Sequence, residues 1–534
     1  MMIIYVNCNK EGGSKMIDIV GNRTIRDIWN EAVKFYPDSK FIEFISVDNK
    51  VSCFTYKKFD KLVHKTANLF IKSGMDKGKL VAIDLHNSPE YLVCWLALAQ
   101  IGAVAVPINE HYQYRETKYV VDKCKINFVI AENTLRNNSI DTYLQNKDTL
   151  KVDNIFLISG TSYDPNVINI EKEIESQPYE LLENRYIDPQ DTAVILFTSG
   201  TTENPKGAIY TNYNVVYGGI FHATQMGMRH GNKFLTSMPC YHMDFQQMST
   251  MPVIYTGSTI IVIEHFSARR FWKQIVEHEA NFTDTMSIMN RTMMLQPIQN
   301  WEKNHKIQQI YFSMGLSNEE KETFENRFNV QLLNSYGMTE TVTAVTCAPT
   351  TGDKNWPSVG RPALSYKVKI IDCENNEVPN GTMGEICIWG IPGKTIISGY
   401  YNDELNTKKL IDDEGWIHTG DRGYIDDKGW LFFVDRISNI IKRSGENVSP
   451  LEVECVITSH PSVADCAVIG IPDKIRDEAV KAFIQLGDNS DLTKDEIQKY
   501  CTDRLAKFKV PTVWEFVKQF PRTSTGKIKK NLLK

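Results

Sequence analysis

Leu80–Leu85 (LVAIDL) is a short, mostly apolar run of the kind a fully buried strand needs. Ser88 suits a helix N-cap, Pro89 the first helical position, and Glu90 the positive end of the helix dipole. Tyr91–Ile101 then predicts a mostly apolar helix, Gly102 its stop, and Ala103–Pro107 (AVAVP) a second buried strand. Strand, helix and strand within about 30 residues form a βαβ unit, which implies a parallel sheet. The rhythm returns at Val194–Phe197, and again where the β-branched Thr259–Ile263 precedes a predicted helix over Ala268–Glu279. After about residue 350, Gly and Pro become dense and the alternating runs KVKIID and GEICIWG predict small antiparallel β structure. From Asp435 onward the chain is a charged mixture of helix and strand patterns. The predicted fold is therefore α/β. A large N-terminal domain (1–435) carries parallel and mixed sheets flanked by helices, with a small β-rich subdomain. A small α+β domain follows (436–534). No internal repeat of solenoid or propeller length is visible.

Composition narrows the function classes. The 534 residues are 42% hydrophobic and 23% charged with a formal net charge of −5, which fits a folded enzyme-sized chain and lacks the basic footprint of a nucleic-acid binder. The eleven cysteines are scattered and form no CxxC, so a zinc-ribbon or thioredoxin-like site is not expected. Single buried thiols fit a reducing compartment, and a cytoplasmic location is expected. The longest apolar stretch, Leu92–Ile108, is broken by Gln100, Gly102 and Pro107, so no membrane span is expected.

Four clusters carry candidate chemistry. Thr198–Gly207 (TSGTTENPKG) follows a strand-like run and puts four hydroxyls, two glycines and Lys206 into ten residues. Such a loop offers N–H groups, hydroxyls and a cation to phosphate oxygens, although it is not a Walker A motif. A solvated surface loop has the same composition. Asn334–Glu340 (NSYGMTE) supplies a ring in Tyr336, a close backbone approach at Gly337, the hydroxyl of Thr339, and a hard oxygen ligand in Glu340. His418–Asp421 places a carboxylate beside glycine, where it could accept both hydroxyls of a ribose. Thr525–Lys527 sets a lysine on a glycine turn near the C-terminus. Taken singly, each of the last three is as readily a structural turn.

In order, spacing and flanks the four together resemble the adenylate-forming superfamily of acyl-CoA synthetases, luciferases and peptide-synthetase adenylation domains. The resemblance runs from Met16 to Lys534, and it adds Asp435–Pro450 as a hinge and pantetheine segment. Within the superfamily, the runs Met238–Asp244, Ser267–Trp272, Ile391–Ile396, Ile475–Phe483 and Ala506–Pro511 are most similar to crotonobetaine/carnitine–CoA ligases. The first fifteen residues lie outside that similarity. Two departures stand out. Tyr311–Leu316 (YFSMGL) replaces a Gly-Gly-Ala-Pro-like run, and Ser438 occupies a hinge position usually held by Asp or Lys.

The resemblance implies an ATP-dependent acid–CoA ligase using ATP, Mg²⁺ and coenzyme A on a small carboxylate, with a homodimer left open. It places Lys527, His242 and Thr339 at the reacting centre. Ser199, Gly200, Thr201, Thr202 and Lys206 would cradle phosphates, while Thr198 and Glu340 would hold Mg²⁺. Asn334, Ser335, Tyr336 and Gly337 would meet adenine, and Asp421 and Arg436 the ribose. Lys442, Ser444 and Gly445 would line the CoA path, Ser438 would be the hinge, and His242, Asp244, Phe245 and Phe312 would line the acyl pocket. Tyr241, Tyr311 and Trp389 lie in or beside the same segments as candidate aromatic faces for a trimethylammonium. Three alternatives stay open at this point: a medium- or long-chain fatty acyl-CoA ligase, an adenylation domain loading a separate carrier protein, and a non-catalytic nucleotide binder.

Overall fold

The computed structural model describes residues 18–533 apart from 135–136, 163, 199–204, 314, 437–438, 440, 444–445, 474–476, 488–489 and 523–526. The βαβ reading holds closely. Strands Leu80–Asp84 and Val104–Pro107 pair in parallel on either side, in sequence, of helix Pro89–Ile101. The Ser88 hydroxyl accepts from the Tyr91 amide, and Gly102 closes the helix at φ +73°, a left-handed geometry that glycine enters without steric cost. The helix is apolar on every side because it is buried on nearly every side, from Tyr91 to Ile101.

Two large sheets form the body. A seven-stranded sheet runs in the order Val167–Asn169, Asn154–Leu157, Phe128–Ala131, Leu80–Asp84, Val104–Pro107, Thr192–Thr198, Lys206–Thr211, and it ends in an antiparallel hairpin. A nine-stranded sheet has Gln309–Ser313 between Phe282–Met286 and Leu332–Gly337, all parallel, with antiparallel strands at both edges. One large apolar core spans both sheets, and a second, smaller one lies on the seven-stranded sheet around Val106, Val121, Val129 and Tyr143. The Gly- and Pro-rich region forms a four-stranded antiparallel sheet, Lys367–Ile371, Gly384–Trp389, Trp416–Ile425 and Leu431–Arg436, as the alternating runs predict. Arg436 is the last residue of that sheet. Beyond it, five strands and two helices enclose their own apolar core around Val453, Ile457, Val468, Val480 and Ile484. The helix predicted to reach Glu279 stops at Glu277, because Glu279 turns to φ +56°.

Contacts between this C-terminal unit and the body are polar as well as apolar. Arg291 pairs with Glu320 at 2.6 Å inside the body and reaches Asp465 at 3.5 Å and the Thr458 hydroxyl at 3.2 Å across the boundary. The Leu451 amide donates to Asp435 at 3.1 Å, and Gly315 sits against Leu451 and Cys455 so closely that an added Cβ would meet Leu451 at 3.0 Å.

Candidate active site

The nucleotide half of the site forms where the strand Leu332–Gly337 meets the small sheet. The strand is buried from Leu332 to Tyr336, and alternation along it puts Asn334 and Tyr336 on the same face. The Asn334 amide nitrogen donates to the carbonyls of Pro357 and Ser358 at 3.2 and 3.1 Å. Its oxygen is thereby the end turned to an amino donor such as that of adenine. Ser335 donates to the Phe312 carbonyl at 3.3 Å and so serves the sheet. Gly337 is required by space: a Cβ there would sit 2.6 Å from the Thr343 carbonyl of the returning strand.

Tyr336 donates its hydroxyl to Asp421 at 2.6 Å, and its ring packs against Phe433 with centroids 5.8 Å apart. Asp421 and Arg436 are direct partners on adjacent antiparallel strands, and the guanidinium stands 3.3 Å from the carboxylate. Burial raises the pKa of Asp421, against the lowering effects of Tyr336, Arg436 and Lys527. His418 faces away from this group, toward Cys387, Glu385 and Asp412.

Glu340 is buried and accepts the Tyr400 hydroxyl at 2.6 Å. Burial raises its pKa; Tyr400, Arg436 and Lys206 pull it back. The Lys206 ammonium lies 5.7 Å from the centre of the Tyr400 ring, and the Thr339 carbonyl accepts from Tyr210. Thr198 faces Lys206 across the hairpin, its hydroxyl 3.4 Å from the Lys206 carbonyl. A desolvated carboxylate with cations beside it is a donor suited to a hard divalent ion with phosphate oxygens in its shell. Glu340 and Thr198 are the residues that could hold Mg²⁺. Tyr400 went unseen in the sequence, since nothing local marks a tyrosine that reaches a carboxylate sixty positions away.

The candidate acyl half is built on the segment Met238–Asp244. Asn87 fastens it, donating to the Met238 carbonyl and accepting from the Cys240 amide at 2.9 and 2.7 Å. The chain then enters a π-helical turn, Asp244–Thr250, a wide-turn geometry frequent at functional sites. His242 Nδ1 lies 3.2 Å from the Asp244 carboxylate. Phe245 is buried edge-on to Tyr91, and Phe312 is buried beside Trp356. Burial works to raise the pKa of Asp244, but His242, Lys527 and His222 outweigh it and leave it lowered.

Lys527 joins the halves. The residue is exposed overall, yet its ammonium is influenced by Arg436, Asp244 and Asp421 together. The crowding around the ammonium and Arg436 hold its pKa below the ordinary lysine range, against the pull of the two aspartates.

A model of the AMP-binding enzyme family matches residues 29–401, and one of the AMP-binding enzyme C-terminal domain matches residues 452–527. The chain belongs to the AMP-binding enzyme family. Among relatives in it, the crotonobetaine/carnitine–CoA ligase of Proteus mirabilis (strain HI4320) is 42% identical over 520 residues, covering 97% of this chain and all of that protein. The protein of the same name from Citrobacter koseri is 41% identical over 519 residues with the same coverage. The fold also matches two solved structures. An anthranilate CoA ligase with bound anthranoyl-AMP superposes at a TM-score of 0.87 with 21% identity, over 96% of each chain. ATP-bound MatB from Rhodopseudomonas palustris superposes at 0.83 with 22% identity, over 95% of this chain and 98% of that one.

Several sequence expectations take a different form in the family member seen here. Trp389 is spent on the small sheet, where its ring stacks against Lys367 at 4.8 Å and its N–H donates to the Glu414 carbonyl, so it is no wall of the acyl pocket. The cross-strand position that pairs it with Trp416 fixes it there. Tyr311 is buried in the nine-stranded sheet. Lys442 is exposed on the short strand Ile441–Arg443. Ser199, Gly200, Thr201, Thr202, Ser438, Ser444, Gly445 and the first fifteen residues lie outside the described residues.

Proposed function

We propose that this enzyme is an ATP-dependent acid–CoA ligase acting on a trimethylammonium carboxylate of the crotonobetaine, carnitine or γ-butyrobetaine type. The observation that carries the ligase reading is Lys527, whose ammonium lies within electrostatic range of both Asp421 on the nucleotide side and Asp244 on the acyl side. A cation in that position faces the α-phosphate and the attacking carboxylate at once. The substrate acid is already ionised near neutral pH and needs no general base, so adenylation rests on alignment and charge stabilisation. A carboxylate oxygen bonds to the α-phosphorus and the bond to pyrophosphate breaks. In the second step the CoA sulfur bonds to the acyl carbon, its proton is lost, and AMP departs.

In this reading Tyr336 and Asn334 face adenine, Asp421 and Arg436 hold the ribose, and Thr198 and Glu340 hold Mg²⁺, which supplies charge neutralisation on the phosphates. Ser199–Thr202 and Lys206 cradle the β- and γ-phosphates. Lys442, Ser444 and Gly445 line the thiol path after the C-terminal domain turns about Ser438. His242 stands between the nucleotide and acyl sites. The betaine substrate is supported by near-full-length identity above 40% to a crotonobetaine/carnitine–CoA ligase. We place the enzyme in the cytoplasm. The ten cysteines among the described residues are all free thiols, and no described helix is long and apolar enough to cross a membrane. A homodimer remains part of this proposal.

The test is pyrophosphate release across a panel of carboxylates, with and without CoA. Crotonobetaine should exceed hexanoate in kcat/KM, with CoA thioester formed. A ratio at or below one discards the betaine, and release without any thioester discards the CoA ligase in favour of carrier-protein loading.

A further inference from the structure

The buried polar groups behind Asp244 form a set that the mechanism above leaves unused. Asp284 lies in the middle of the parallel strand Phe282–Met286, the interior of a sheet where an apolar residue is the rule. It is 3% exposed. One carboxylate oxygen meets only the Thr236 hydroxyl, at a long 3.4 Å, and the other has no hydrogen-bond partner among the described residues. The π-helical turn carrying Asp244 packs on the neighbouring strand Lys233–Thr236. On the same turn Gln247 is buried, with neither end of its side-chain amide bonded among the described residues. His222, from helix Asn212–Met226, lies beside it. Its Nδ1 is shared between the Gly218 and Gln247 carbonyls at 3.0 and 3.1 Å, and its Nε2 is unbonded among the described residues. Asp284 and His222 each lie within electrostatic range of Asp244, and buried polar groups left unsatisfied are costly in a folded protein and mark a site completed by something else.

We propose that Asp284 is the counter-charge for the fixed cation of the acyl chain, and that the region framed by Asp284, Thr236, Gln247 and His222 is a quaternary-ammonium subsite at the deep end of the acyl pocket. This rests on the betaine reading above and corrects its detail. Asp244, the obvious candidate, already stands among cations, with Lys527 and His242 both drawing on its charge. The groups that set the ionisation of Asp284 are its burial, Asp244, the Thr236 hydroxyl and its own backbone amide, with no cation among them. An incoming trimethylammonium cannot shed its charge, and Asp284 is the carboxylate that lacks one to face.

The coupling has a sign. Burial, with Asp244 adding to it, pushes the Asp284 carboxyl up to about 8, so it is mostly protonated at neutral pH when the pocket is empty. His222 is pushed down to about 4 by burial and stays neutral over the same range. From its own sheet Asp284 faces Thr236 and stands in register with Tyr311, neither of which ionises there. Binding the cation therefore expels one proton from Asp284 to solvent, and the betaine should bind more tightly as pH rises toward about 8.

The experiment compares wild type with Asp284→Asn, using crotonobetaine and its uncharged tert-butyl isostere in pyrophosphate release from about pH 6 to about pH 9. The betaine-to-isostere ratio of kcat/KM should climb with pH in wild type and level off above about 8. In Asp284→Asn the ratio should fall about a hundredfold and lose its pH dependence. An unchanged ratio overturns the proposal, and so does an equal loss on both substrates. A wild-type ratio at or below one overturns instead the betaine reading beneath it. Calorimetric binding of crotonobetaine to wild type, with a non-hydrolysable ATP analogue present and buffers of differing ionisation enthalpy, gives a measurement independent of any variant. About one proton should be released near pH 7, and none from the isostere. No release with crotonobetaine overturns the proposal.

Discussion

Removing the hydroxyl of Tyr336 isolates one bond of the nucleotide site. Tyr336→Phe keeps the ring and its packing on Phe433 and deletes only the 2.6 Å donation to Asp421. The bond is buried and charge-assisted, which puts its loss at about 1.5–3 kcal/mol. At 1.4 kcal/mol per decade that is about a tenfold to hundredfold effect. Arg436 still holds the other carboxylate oxygen at 3.3 Å, so the lower half of that range is expected. The assay is ATP–pyrophosphate exchange with ATP and with 2′,3′-dideoxy-ATP. If Asp421 is aimed by Tyr336 at the ribose hydroxyls, kcat/KM for ATP should fall about tenfold or more while the dideoxy nucleotide changes little. The variant should also be less stable, with a pH signature. Asp421 has a raised folded-state pKa, so its ionisation in the fold costs stability as pH rises above the unfolded carboxylate value. Deleting a donor raises that pKa further, and the deficit should be larger at neutral pH than at about pH 2, where the carboxyl is protonated in both states. Equal losses on both nucleotides would refute the ribose assignment, and a pH-independent deficit would refute the account of the bond.

Three further expectations follow from the same geometry. Lys527→Ala should slow adenylation by orders of magnitude yet largely spare thioester formation from supplied acyl-adenylate, and equal damage to both half-reactions would contradict its placement. Glu340→Gln should raise the Mg²⁺ concentration needed for half-maximal turnover; because burial raises the pKa of Glu340, the wild-type requirement for Mg²⁺ should also increase as pH is lowered, and an unaltered Mg²⁺ titration in the variant would remove Glu340 from the metal. Asp465→Asn removes the carboxylate that Arg291 reaches across the domain boundary and that Arg522 holds at 2.5 Å, while Glu320 still pairs the Arg291 guanidinium; adenylation should slow about three- to tenfold with thioesterification unchanged, and slowed thioesterification with adenylation unchanged would refute this placement.

The elements legible in the sequence are those whose cause is local. Pro89 and Gly102 bracket their helix through constraints on φ, and KVKIID and GEICIWG alternate because one face of a small antiparallel sheet is buried. The candidate nucleotide residues stand out in the sequence because their chemistry is concentrated in short segments, Asn334–Glu340 above all. The acyl side was harder. Trp389 lay in a suggestive segment, yet strand register turned it toward Lys367 and Glu414. Asp284 reads as one polar residue in an ordinary strand, and its isolation is visible only in the fold, where it is buried with one carboxylate oxygen unbonded among the described residues. Tyr400 likewise reaches Glu340 through the tertiary fold alone.

The C-terminal unit keeps an apolar core separate from that of the body, and what joins the two is a few side chains such as Arg291 and Leu451. Folding cooperativity should therefore be divided. Scanning calorimetry of the ligand-free enzyme should resolve two endotherms, because melting the small core exposes little of the large one. A non-reactive acyl-adenylate mimic, touching Asp421 and Lys527 together, would couple the units and draw the endotherms toward one another. A single-dye melting screen would report only whichever core melts first. It would rank as weak a ligand that had tied the two halves of the enzyme together.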